Sequence, residues 1–117
     1  MVTLNLPIPD ATNPTYIVVG DTIQAVEFAF DSGIDLTGAT IRMQVYNKLN
    51  QKVYDVDSTS GITINDALTF DIDKIAKEDN PFTEEGIYNG DVEITDASGD
   101  RLTYFRIRYT VQKQYTV

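Results

Sequence analysis

Apolar residues recur at every second position through most of this chain, and the helical period is nearly absent. "TIQAVEFAF" places Gln24, Val26, Phe28 and Phe30 on one side and Ile23, Ala25, Glu27 and Ala29 on the other. "ATIRMQVYNK" turns Ile41, Met43 and Val45 inward and Arg42, Gln44 and Tyr46 outward. "QKVYDVDS" sets Tyr54 and Val56 against Val53, Asp55 and Asp57, and it is short enough for an edge strand. In "GITINDALTFDID" the residues Ile62, Ile64, Leu68, Phe70 and Ile72 share one parity. Cross-strand partners lie on one face, so this stretch predicts a hairpin. Ile64 meets Leu68 across a loop of Asn65, Asp66 and Ala67. "DKIAKEDNP" predicts one short helical turn near residues 73–79, stopped by Pro81.

The stretch "YNGDVEITDASGDRLTYFRIRYTV" predicts a second hairpin. Tyr88, Gly90, Val92 and Ile94 share a face, as do Phe105, Ile107, Tyr109 and Val111. A two-residue loop at Gly99-Asp100 pairs Ser98 with Arg101. That register sets Ile94 against Phe105, Val92 against Ile107 and Tyr88 against Val111. It also sets Glu93 against Arg106 and Asp91 against Arg108, and it lets Tyr109 cover Gly90. A one-residue slip would set apolar side chains against charged ones. Exposed ion pairs are worth only ~0–1 kcal/mol, so hydrophobic burial sets this register.

Short strands with frequent turn signals predict an all-β fold, an antiparallel β-sandwich in preference to a barrel. The domain runs over residues 16–117. Residues 1–15 form either its first strand or an N-terminal arm that adds to a neighbouring subunit's sheet edge. In that segment Val2, Leu4 and Leu6 alternate, and "PIPDATNP" carries three of the four prolines, which no central strand accommodates.

With 117 residues the chain is long enough to bury one core. It has no Cys and no His, which removes thiolate chemistry, the commonest general base and most zinc sites. Eighteen acids against nine bases give a net charge of −9, unsuited to binding nucleic acid. The start "MVTLNLPIPD" has no basic n-region, and no stretch is apolar enough to span a membrane. Synthesis in the cytoplasm without a signal peptide is the expectation, with exit only as part of an assembly.

Four candidate sites present themselves. "DASGD" offers oxygens at alternate positions, but Gly99 falls at the fourth position of a calcium loop and Ile107 at the twelfth, where Gly at six and Glu at twelve are needed. It reads as a turn. Asp55, Asp57, Asp71 and Asp73 would hold calcium only if their faces met; the alternative is a solvated or edge-guarding polar face. A carboxylate pair for glycoside hydrolysis needs a cleft that nothing in the pattern promises. Tyr46, Tyr54, Tyr104 and Tyr115 fall where exposed rings would suit a protein contact ahead of a sugar.

The pattern as a whole resembles small immunoglobulin-like proteins of tailed bacteriophages, and it is similar to the N-terminal domain of phage baseplate upper proteins. The resemblance covers Ile17 to Lys113. Its most specific piece is Asp35-Leu-Thr-Gly38-Ala leading into "TIRMQV"; its second is Gly86-Ile-Tyr88 leading into "DVEITDASGD". Gly86-Ile-Tyr88 also resembles a tyrosine corner, in which the Tyr bonds back to the corner backbone. The proline-bearing N-terminal segment departs from the pattern. The resemblance implies an immunoglobulin-like sandwich with no catalytic, metal or cofactor site, working as a structural module of the virion. Its implied partners are other virion proteins and copies of itself, with a host-surface glycan as the alternative ligand. The residues singled out for assembly are Val2, Leu4, Leu6 and Ile8, with Tyr46, Tyr54 and Tyr104 beside them.

Overall fold

The computed structural model describes residues 2–6, 17–31 and 33–113, with the backbone alone over 2–6. Ile8 and Tyr115 lie outside the described residues. Two sheets face each other in a β-sandwich-like architecture. The strands are β1 (Val2–Leu6), β2 (Ile17–Val18), β3 (Val26–Ala29), β4 (Thr40–Tyr46), β5 (Lys52–Asp57), β6 (Ile62–Ile64), β7 (Thr69–Ile72), β8 (Gly86–Thr95) and β9 (Arg101–Gln112). The larger sheet runs β1-β9-β8-β4-β5 and curls over the smaller one, β3-β7-β6. The expected helical turn is a single 3-10 turn at Lys77–Asp79.

Neither β1 nor β2 is antiparallel to its neighbour. Both run parallel to β9, with Leu6 level with Tyr109 and Ile17 level with Val111. Among the described residues the remaining strand-to-strand pairings are antiparallel, as the alternation predicts.

The parity of β4, β8 and β9 is as the sequence predicts. Ile41, Met43, Val45, Val92, Ile94 and Ile107 are buried almost completely, facing Ile62, Phe70 and Ile72 of the smaller sheet. Phe28 stacks on Phe70 at 5.2 Å between ring centroids and reaches Phe105 across the sandwich at 6.2 Å. The parity of "TIQAVEFAF" holds only from Val26 onward. Ile23, not Gln24, is buried, because Ile23 bridges Ile75 through two backbone bonds before β3 begins.

Both hairpins slip by two residues and keep their predicted faces, except that Leu68, expected on the core face, is left exposed in the loop. In the first, Ile64 pairs with Phe70 instead of Leu68. Asp66 Oδ1 accepts the amides of Leu68 and Thr69 at 2.8 and 2.9 Å, so the loop starts one residue later. In the second, Val92 pairs with Phe105, Gly90 with Ile107, Tyr88 with Tyr109, Asp91 with Arg106 and Asn89 with Arg108. The Gly99 amide donates to the Asp96 carbonyl, and Asp96 N–H donates to the Asp100 carbonyl. With Gly99 at φ +89° this is a type I turn closed by a glycine bulge. The Asp96 carboxylate accepts the amides of Ser98 and Asp100, which holds the longer loop in place. Tyr109 still covers Gly90, from the diagonal position: a Cβ on Gly90 would lie 3.1 Å from its ring.

Two local devices join the sheets. In Asp35-Leu-Thr-Gly38-Ala, Asp35 accepts the Thr37 amide and the Ala39 amide bonds the Leu36 carbonyl. Gly38 supplies the positive φ of a type II turn, and Leu36 is driven fully into the core. At the other end Tyr88 Oη donates to the Glu84 carbonyl at 2.9 Å, the bond expected of a tyrosine corner. Beneath it Phe82 packs on Tyr88 and Tyr109. Asn80 Nδ2 donates to the carbonyls of Val18 and Asp21, while its Oδ1 accepts the Phe82 amide.

Candidate functional site

The core face of the larger sheet leaves every second residue of β4, β5, β8 and β9 on its outer face. Across the strands the rows read Asp57-Arg42-Glu93-Tyr104, then Asp55-Gln44-Asp91-Arg106, then Lys52-Tyr46-Asn89-Arg108. These three rows carry four acids and four bases, leaving fourteen acids and five bases for the rest of the chain. The net charge of −9 therefore lies outside these three rows.

Local pairing organises the face. Arg42 Nη2 and Lys52 Nζ both reach Asp55 Oδ2, at 3.0 and 3.2 Å. The Arg42 bond is the main cause that draws the Asp55 carboxyl down to about 2. Arg106 Nε donates to Asp91 Oδ1 at 2.8 Å, and that bond raises the Arg106 guanidinium further. Tyr104 sits beside them, its hydroxyl pushed up by burial and by the Asp91 charge, with the Arg101 guanidinium 5.7 Å from its ring centroid. Tyr46 Oη donates to Gln44 Oε1 at 3.4 Å, and the neighbouring Asn89 Oδ1 is buried without a hydrogen-bond partner. Exposed Ile87 and Leu49 flank a shallow depression of about 190 Å³ at the lower end of the face.

The singled-out residues fall in three places. Tyr46 and Tyr104 share this outer face, both half-buried. Tyr54 lies on the opposite parity, level with Val45 and packed against the core, and burial is the first cause of its raised hydroxyl pKa. Val2, Leu4 and Leu6 hold the register positions level with Phe105, Ile107 and Tyr109 at the sheet's edge.

The four aspartates considered for calcium stand on different sheets. Asp55 is engaged by Arg42 and Lys52, Asp57 by Thr59, Asp71 by Asn65 and Asp73 by Thr63. Among the described residues no three His, Cys, Asp or Glu side chains gather as a metal site. No helix among them is long and apolar enough to cross a membrane. The sequence reading missed Asn89 and the charge balance of the face. The outward parity of β4, β8 and β9 carried the signal, but the two-residue slip hid which charges are neighbours.

No model of a known protein family matches the chain, and no curated protein matches it.

Proposed function

We propose that the chain is a non-enzymatic structural protein of a tailed-bacteriophage virion. In this reading it is an immunoglobulin-like sandwich, made in the host cytoplasm, that binds other virion proteins and copies of itself through its strand edges and N-terminal segment. The phage origin rests on the resemblance over residues 17–113. Strand order supports the immunoglobulin-like part. If β3, β4, β6, β7, β8 and β9 are lettered B, C, D, E, F and G, the small sheet reads B-E-D. The large one then reads G-F-C with β5 added at its edge, and Tyr88 is the corner tyrosine of strand F.

The observation that carries an assembly role is the set of charge-balanced rows across the outer face of a chain of net charge −9. Like-charged chains repel, and a face of balanced charge is where a neighbour approaches without that cost. Many repeats of one modest interface then hold a symmetric assembly. Peptide mass spectrometry of density-purified particles of the encoding phage tests this. The expectation is several copies of the chain per particle; infectious particles that lack it refute the proposal.

A second reading is a glycan-binding module. Tyr46 beside Gln44 and the unpartnered Asn89 Oδ1 favour it, since sugars are read by a ring and adjacent polar atoms. Specific binding on a glycan array, lost in Asn89→Leu, would establish it; loss on chelation would mark a calcium-dependent version.

A further inference from the structure

The two N-terminal strands lie end to end along the same side of β9. β1 finishes at Leu6, level with Tyr109, and β2 starts at Ile17, level with Val111. Two residues of β9 separate those levels, about 7 Å. One residue between Leu6 and Ile17 would close that gap, yet ten residues, 7–16, lie there. Ten extended residues reach up to about 35 Å, comparable with the 34 Å middle dimension of the domain. Their sequence includes Pro7, Pro9 and Pro14, and proline favours extended over folded-back chain. The connection is thus far longer than seating β1 on its own β9 requires, and long enough to reach a β9 on a neighbour.

Among the described residues β1 is also the outermost strand of its sheet and pairs with β9 alone. Its departure breaks no other pairing. It would bare the backbone groups of β9 beside Phe105, Ile107 and Tyr109, an unpaired edge that a strand of suitable pattern fills. The strand that fits is β1 of a second copy, which restores the same register and the same bonds. We propose that β1 is an exchangeable strand, seated on β9 of a neighbouring copy in the assembled state and on its own β9 in the isolated chain. The strand contacts are identical in both states, so the balance is set by concentration: exchange costs the freedom of a second chain and gains when copies are held close. This names the partner of the N-terminal segment in the assembly reading, but its test reads strand exchange whatever particle the chain belongs to.

The absence of cysteine makes the test direct. Asn5 and Arg108 are level across β1 and β9, a spacing a disulfide can bridge. Asn5→Cys and Arg108→Cys are made as separate single variants, co-refolded at high concentration and mildly oxidised. The expected product is a covalent dimer of twice 13.1 kDa, in which mass spectrometry identifies a disulfide-linked peptide joining position 5 of one copy to position 108 of the other. Deleting residues 7–15 in both partners leaves Tyr16 as the single link and makes β1 continuous with β2; the mixed product should then fall at least ~10-fold. The double variant Asn5→Cys/Arg108→Cys is the internal control and closes within one chain at low concentration. Closure of the control without any mixed product linking positions 5 and 108 overturns the proposal. Failure of the control to close overturns it too, because β1 would then not lie on β9.

Discussion

The passage from β5 to β6 carries the chain between sheets, and Gly61 is its tightest point. It holds φ at +98°, and a Cβ built there would lie 2.5 Å from Val56 Cγ1 and 2.7 Å from Val56 Cβ. Carbon atoms pack at about 3.5–4.0 Å, so Gly61→Ala overlaps Val56 by roughly 1 Å. Two costs follow. Holding an L-residue in left-handed backbone costs about 1–2 kcal/mol, and forcing extra volume into packed surroundings costs about 1–3 kcal/mol. The stiffer unfolded chain returns about 0.4–1 kcal/mol. The net expectation is a loss of about 1–4.5 kcal/mol, read by urea denaturation as a lower midpoint at unchanged slope. Val56→Gly removes both offending carbons, so the double variant should be less destabilised than the two singles added, by about 1–3 kcal/mol, while the backbone cost stays. Strict additivity would refute the steric argument, and a Gly61→Ala loss below about 1 kcal/mol would refute the whole account of this corner.

Tyr88→Phe and Tyr109→Phe remove the same atom with different consequences. Tyr88 Oη is bonded to the Glu84 carbonyl, so its loss should cost about 1 kcal/mol. Tyr109 Oη donates to Met43 Sδ at 3.4 Å, a weak acceptor, so Phe there should change stability by less than ~0.5 kcal/mol; thermal melts of the two variants compare them. Asn80→Ala removes three hydrogen bonds that tie residues 18–21 to Phe82, and guanidinium unfolding should show a loss of about 2–3 kcal/mol. Asp55 titrates near 2 in the fold against 3.8 when free. A depressed carboxyl stabilises above its free pKa and loses that contribution as pH falls, so wild-type stability should decline between pH ~4 and ~2 more steeply than that of Asp55→Asn, in parallel denaturant titrations.

Burial decides faces, and faces were legible: the alternation in β4, β8 and β9 names the core residues without help. Register is a finer matter. Both hairpins moved by two residues, the smallest slip that keeps paired side chains on their faces, and in the first it put Leu68 into the loop. What selected between the alternatives was the bonding of Asp66 and Asp96 to their own loop amides, which alternation does not encode. Leu36 and Ile23 were hidden for a related reason. Each is buried from a turn or a single bridge, outside any periodic run. The charge-balanced rows were legible in their members and illegible in their neighbours, since Asp91 meets Arg106 only in the slipped register.

The parallel seating of β1 and β2 on β9 has a mechanical meaning. Val2 lies at the Phe105 end of the seam, and β9 ends at Gln112 at the other. Tension drawn between the chain's first and last strands pulls them lengthwise past each other, so the hydrogen bonds along the seam are loaded together instead of being unzipped one by one. A seam loaded in that direction yields late. If β1 is lent to a neighbour, the same seam becomes a rivet between subunits, and a pull on one copy is handed to the next.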